Sequence, residues 1–225
     1  MIHFPKKANP EIEAWLSHQK ELKAGSYDSD EILVQLAKDF KNKCYICEDT
    51  VKSIRIEHFR PKVLGKDQEF DWFNLFNACD HCNAIKSDDY RNLIDCTQDY
   101  PDRKIKFEVN PMNPLGEQVV ITQIDTQVHE DTINLLNAVY RGTNKRKQLE
   151  AQNIVTDLLE ELNDFDDLIT DYLESPEQHE IDDIRDEVNN ESKFTAFKRW
   201  FVLNNPEYKE KFQPLFEDEA LEEHQ

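Results

Sequence analysis

CYICEDTVKSIRIEHFRPKVLGKDQEFDWFNLFNACDHCNAIK, residues Cys44 to Lys86, holds the pattern from which the rest of the chain is read. It opens on one Cys-x2-Cys pair (Cys44, Cys47) and closes on a second (Cys79, Cys82), with 31 residues between them. Each such turn sets two thiolates at adjacent corners of a tetrahedron, and two turns complete a four-sulfur zinc site. With four thiolates no corner is left for water, so this zinc is expected to staple the fold and not to catalyse. Disulfides are the alternative, and they need an oxidising compartment. The first residues lack the apolar run of a secretory leader, and no segment reaches the roughly 18–20 apolar residues that cross a bilayer. The expected address is the cytoplasm, where thiols stay reduced. A fifth cysteine, Cys96, reads as a small buried hydrophobe.

Inside the loop between the pairs, Ile54 and Ile56 alternate with Arg55 and Glu57 as in a short strand, which then runs into His58 and Pro61. Adjacent strand residues point to opposite faces, so Glu57 and His58 are expected to approach one site from two directions and not to form an ion pair. Asn74-Leu75 follows, then the second cysteine pair, with Asn83 directly after Cys82 and Lys86 three residues on. His81, between the last two cysteines, reads as exposed or as a support to the ligands.

The other segments predict an α+β, mainly helical protein. Residues Ala8–Gly25 form a helix with Pro10 in its first turn, a stripe of Ile12, Trp15, Leu16 and Leu22, and Gly25 as its stop. A second helix starts at a Ser29 or Asp30 cap and buries Ile32, Leu33, Leu36 and Phe40. RKIKFEVNP and QVVITQIDT are strands joined by a turn around Asn113 to Gly116. From His129 the chain is helical, with a break at RGTN where Gly142 stops one helix and Thr143 or Asn144 starts the next; the tail from Glu217 is expected to fray. Two functional regions result: 1–125, containing the motif core 44–90, and a helical 126–225.

Charge divides along the same line. Residues 1–110 carry 17 Lys+Arg against 20 Asp+Glu, whereas residues 111–225 carry 10 against 27. A surface that binds a polyanion unaided shows a basic footprint. The second half therefore reads as solvated helix faces or as a face for a protein partner.

Taken together, the elements from Cys44 to Lys86 resemble an HNH endonuclease, the ββα-metal fold. That family runs Cys-x2-Cys, acidic-His-apolar-x-Pro, Asn-Leu, then Cys-x2-Cys-His/Asn with a Lys three residues on. Here these are Cys44/Cys47, Glu57-His58-Phe59-Arg60-Pro61, Asn74-Leu75 and Cys79/Cys82-Asn83 with Lys86. The resemblance implies hydrolysis of phosphodiester bonds in DNA, or in RNA. It makes His58 the general base and Glu57 and Asn83 ligands of a catalytic Mg2+ or Mn2+. Asn74 fixes the loop that orients His58. The basic residues Arg60, Lys62 and Lys86 read as phosphate contacts or as solvated surface. Glu57 stands where many members have Asp, and Asn83 stands where the family's last His falls; both still offer oxygen donors, which suit a hard cation. Together with the NPMNP turn and the helical C-terminal half, the segment is similar to the PtuB-type nucleases of Septu anti-phage systems and retron effectors. Those act with an ABC/SMC-like ATPase of PtuA type, which implies a hetero-oligomer. Two other classes fit the residues: a stand-alone restriction-type enzyme, and a catalytically silent zinc-stapled module that binds nucleic acid.

Overall fold

The structure is a computed structural model describing residues 1–110 and 118–217. Its elements are α1 (Pro10–Glu21), α2 (Asp30–Asp39), β1 (Arg55–His58), α3 (Lys66–Glu69), β2 (Leu75–Ala78), α4 (Asp80–Lys86), α5 (Pro101–Lys104), β3 (Ile105–Val109) and β4 (Val119–Gln123). The helices α6 (Glu130–Arg141), α7 (Lys145–Glu174), α8 (Gln178–Val188), α9 (Thr195–Asn204), α10 (Pro206–Phe212) and α11 (Pro214–Glu217) follow. The chain is mixed α+β and mainly helical, as its sequence predicts. No helix among the described residues is long and apolar enough to cross a membrane. The expected turn at Asn113–Gly116 and nearly all of the tail lie outside the described residues.

Local chemistry accounts for most boundaries. Asn9 caps α1 by accepting from Ile12 N, and Pro10 occupies the first turn, where a missing N–H costs nothing. The helix ends at Glu21, earlier than expected: Leu22 is extended and 39% exposed. Gly25 serves a different end, because a Cβ there would collide with the Gln19 carbonyl. Ser29 caps α2 through Ile32 N, and Ile32, Leu36 and Phe40 are buried. The RGTN break forms as read: Gly142 ends α6 at φ 73°, and Asn144 opens α7 by accepting from Lys147 N.

Two antiparallel two-stranded sheets form, β1 with β2 and β3 with β4. In the first, Glu57 faces Phe76 and His58 faces Leu75. Strand β1 does not bury the apolar set that its alternation suggests. Ile56 is only half-buried, while Glu57 and His58 are buried. Strand β2 is buried along its whole length, which is why no alternation marks it in the sequence.

One apolar core crosses the 125/126 boundary, gathering Phe4, Phe40, Tyr45 and Phe76 with Leu136, Tyr140, Leu158 and Phe197. A second core lies among the C-terminal helices, around Phe165, Ile184, Val202 and Phe212. Trp200 donates from Nε1 to the Asp102 carbonyl at 2.8 Å, and Phe201 packs between Phe165 and Tyr208. Both side chains belong to internal packing.

Lys6 ties the N-terminal segment to β2. It is nearly buried, donates to the carbonyls of Trp72 and Leu75, and sits 3.8 Å from the centre of the Trp72 ring. Burial lowers its pKa from 10.5 to about 7, with Asp39, Asp71 and Asp95 pulling the other way. Between those two values the unfolded chain holds a proton that the folded chain has released, so stability rises with pH through that window and is flat below it. The Tm of the wild type minus that of Lys6→Met should therefore grow between about pH 6.5 and about pH 9. A constant difference would show that Lys6 carries no charge penalty.

Candidate functional site

The four motif cysteines converge. The Sγ atoms of Cys44, Cys47, Cys79 and Cys82 all lie within 4.8 Å of one another, and Cys47 and Cys79 are 4.0 Å apart. A tetrahedral Zn–S length of about 2.3 Å requires sulfurs about 3.8 Å apart, so a small contraction makes a zinc site. Four thiols this close cannot all ionise without a cation. Hydrogen bonds from the other three hold the Cys79 thiol well below its ordinary range, while hydrogen bonding to Cys44 pushes Cys47 up and burial pushes Cys82 up. A divalent ion removes that conflict, and the donor set suits a soft or borderline metal such as zinc.

Local turns build the cluster. Cys44 N donates to Asp49 O, Glu48 N to Cys44 O, and Glu48 takes a left-handed φ of 62°, so the chain doubles back directly after Cys47. Tyr45 N donates to Asn77 O and Asn77 Nδ2 to Lys43 O at 2.9 Å, which fastens the first knuckle to β2. Cys79 is the N-cap of α4, its sulfur accepting from Cys82 N. The C-terminal helices close over the cluster. Tyr140 Oη donates to Cys47 O, and fully buried Glu48 pairs with the α-amino group of Met1 and accepts from Ala196 N at 3.0 Å. His81 is buried, a correction to the exposed reading: its Nε2 donates to Val139 O at 2.8 Å and its Nδ1 faces Glu150 at 3.0 Å. It joins α4 to α6 and α7. Cys96 is fully buried, as read.

His58 ends β1 with its ring held on one side. Its Nε2–H donates to the Glu69 carbonyl at 3.0 Å, which leaves Nδ1 as the lone-pair nitrogen, without a hydrogen-bond partner among the described residues. Burial lowers the His58 pKa, so the neutral ring prevails at pH 7. Asn74 holds the loop that carries this acceptor. Its Oδ1 accepts from Arg60 N at 2.7 Å, and its Nδ2 donates to Arg60 O at 2.9 Å and Gln68 O at 2.7 Å. One side chain thus clips both ends of the loop beyond His58.

Glu57 is buried and paired. Lys86 Nζ donates to Glu57 Oε1 at 2.6 Å and to His58 O at 2.9 Å. Burial raises the Glu57 pKa, opposed by Lys86. Lys86, expected at the nucleic-acid surface, is fully buried; it lies one turn beyond Cys82 on the inward side of α4, an i, i+4 spacing that already marks it as internal. Asn83 is half-buried on the same helix, three residues before Lys86. Glu57 Oε2 has no hydrogen-bond partner among the described residues. Arg60 and Lys62 are exposed.

Reading the sequence missed Lys6, Asn77 and Tyr27. The Tyr27 ring stands edge-on to His58, with centroids 4.5 Å apart. No protein-family model and no curated protein matches the chain.

Replacing Cys44 or Cys82 by Ser should remove bound zinc and lower the Tm by roughly 10 °C or more, because the metal supplies folding free energy directly. Metal analysis paired with thermal melting reads this. Loss of zinc with an unchanged melt would make the cluster dispensable.

Proposed function

We propose that the chain is a divalent-metal-dependent endonuclease of the HNH type, hydrolysing phosphodiester bonds of DNA or RNA. The observation that carries this reading is His58: a buried neutral imidazole, fixed through Nε2, with Nδ1 left to accept a proton. It sits beside a carboxylate, on a strand whose partner runs straight into a cysteine-capped helix. The order β1, β2, α4 between and after the cysteine pairs is the order that a ββα-metal unit requires.

The roles follow from the residues. His58 takes the proton of the attacking water at Nδ1, and Nε2–H to Glu69 O prevents the ring from turning. Asn74 keeps that carbonyl in place through its three bonds to the loop. Glu57 Oε2 and the Asn83 amide are hard oxygen donors on neighbouring elements, and they are the residues that would hold Mg2+ or Mn2+. Such an ion supplies charge stabilisation to the phosphoryl oxygens when bound. Lys86 orients Glu57 through Oε1 and leaves the second oxygen free. Arg60 and Lys62 provide positive charge at the rim.

His58→Ala should lower cleavage by about 10²–10⁴-fold, the usual worth of a general base. Zinc content and melting should not change, since no cysteine is touched. Near wild-type turnover by the folded variant would sink the assignment.

We also assign the acidic region 126–225 to docking on an ATPase of PtuA type, in an anti-phage complex whose partner supplies basic surface. The support is charge: 27 Asp+Glu against 10 Lys+Arg in residues 111–225. Co-expression with such an ATPase should yield a stable complex whose nuclease activity survives physiological salt better than that of the lone chain. A monodisperse lone protein that ignores the ATPase and cleaves well at that salt would remove the docking role and leave a stand-alone nuclease.

A further inference from the structure

The connection between α1 and α2 places an unassigned side chain against His58. Tyr27 is half-buried, and its ring meets the imidazole at 88°, edge to face. Lys62, the first residue after Pro61, donates from Nζ to Tyr27 Oη at 3.1 Å. Lys66, in the same loop, donates to the carbonyls of Lys20 at 2.8 Å and Leu22 at 3.0 Å. Two lysines of the site loop therefore hold the α1–α2 connection in place.

The donors left over at this contact are the informative part. Accepting from Lys62 uses a lone pair of the phenol oxygen and leaves the Tyr27 O–H proton unspent; it meets no acceptor among the described residues. Lys62 is exposed and has no carboxylate within ion-pair distance among those residues, in a chain with 47 Asp+Glu against 27 Lys+Arg. Lys62 differs in this from Lys20, Lys104 and Lys147, which pair with Asp67, Asp99 and Glu150. The hydrogen bond to Tyr27 favours the ammonium form of Lys62. An un-neutralised ammonium and a free hydroxyl proton thus stand 3.1 Å apart beside the candidate base. That separation allows both to reach one anionic oxygen, or two oxygens of one phosphate.

We propose that Tyr27 Oη and Lys62 Nζ form a two-donor clasp for a backbone phosphate of the nucleic-acid substrate, next to His58. This deepens the nuclease reading and rests on it. The N-terminal helices then have a purpose in the site, because they deliver the hydroxyl half of the clasp. The tyrosine ring also bears on the imidazole, so the two contributions of Tyr27 must be separated.

Tyr27→Phe separates them, since it keeps the ring edge and removes the hydroxyl. In the full-length chain it should raise KM by about 10-fold with kcat nearly unchanged, the effect of losing one hydrogen bond to a charged group. Binding is read independently of cleavage in the His58→Ala background, by anisotropy of a labelled oligonucleotide without added Mg2+ or Mn2+. There Tyr27→Phe should weaken binding by about 10-fold and leave the salt slope unchanged. Lys62→Met should weaken binding and reduce the slope of log K against log salt by about 1, one phosphate contact. The double variant should lose less than the product of the two. If Tyr27→Phe lowers kcat alone with binding intact, Tyr27 is only a support for His58, and the clasp is refuted. If His58→Ala stops cleavage but neither Tyr27→Phe nor Lys62→Met changes binding, the clasp falls and the nuclease reading stands. A folded chain that neither binds nor cleaves overturns both.

Discussion

Closing the chain between Cys47 and Cys79 is the constraint on which the rest depends. Bringing together the ends of a loop of about 30 residues costs about 3 kcal/mol of chain entropy, beyond a constant. Neither knuckle has the periodic apolar pattern that would offset it. A cation at the four sulfurs does so directly, and it also relieves the repulsion among thiolates less than 5 Å apart. Glu57, His58 and Asn74 all lie in the closed loop, while Asn83 and Lys86 stand on the helix that the second knuckle caps. The site is therefore built around the staple: the two cysteine pairs flank the β1–β2 ladder, and α4 starts from the Cys79 cap.

The interior of this acidic chain is basic. Among the described residues Lys6, Lys43, Lys86, Lys198 and Arg199 are buried, against the carboxylates of Glu48, Glu57 and Asp102. Each cation is anchored. Lys43 donates to Ser192 O at 2.5 Å, Lys198 reaches Glu161 at 3.1 Å, and Arg199 meets Asp102 at 3.0 Å. Two of these, Lys43 and Arg199, bind the first half of the chain to the helices of the second. Withdrawing cations inward leaves the surface more negative than the formal charge of −20 implies. That is a poor face for a polyanion approached alone, and the reason a basic partner surface belongs to the proposed function.

What the sequence discloses is spacing, and what it hides is distance. The Cys-x2-Cys pairs, the Ser29 and Asn144 caps, the Gly142 stop and the β3–β4 alternation are local patterns, each legible within a few residues. Asn74, which the resemblance gives as a loop-fixing residue, makes three side-chain bonds, to Arg60 and Gln68. The misses are tertiary. Lys86 finds Glu57 29 residues away, and Tyr27 finds Lys62 35 residues away. Lysine beside cysteines looks like surface until its i, i+4 relation to a buried sulfur is weighed. Strand β2 is invisible for the opposite reason, because a strand buried on both faces has no period to detect.

The cover over the first knuckle arrives late. Glu48 is sealed by Ala196 N, and Lys43 is engaged by Ser192 and Thr195. The ribosome adds about 5–20 residues per second, so the cysteines emerge several seconds before the helix that shields them. During that interval the four thiols stand without their lid. A nascent chain that captures zinc early guards its own cysteines, and the cluster acquires its supporting shell only once the segment 192–196 has been made.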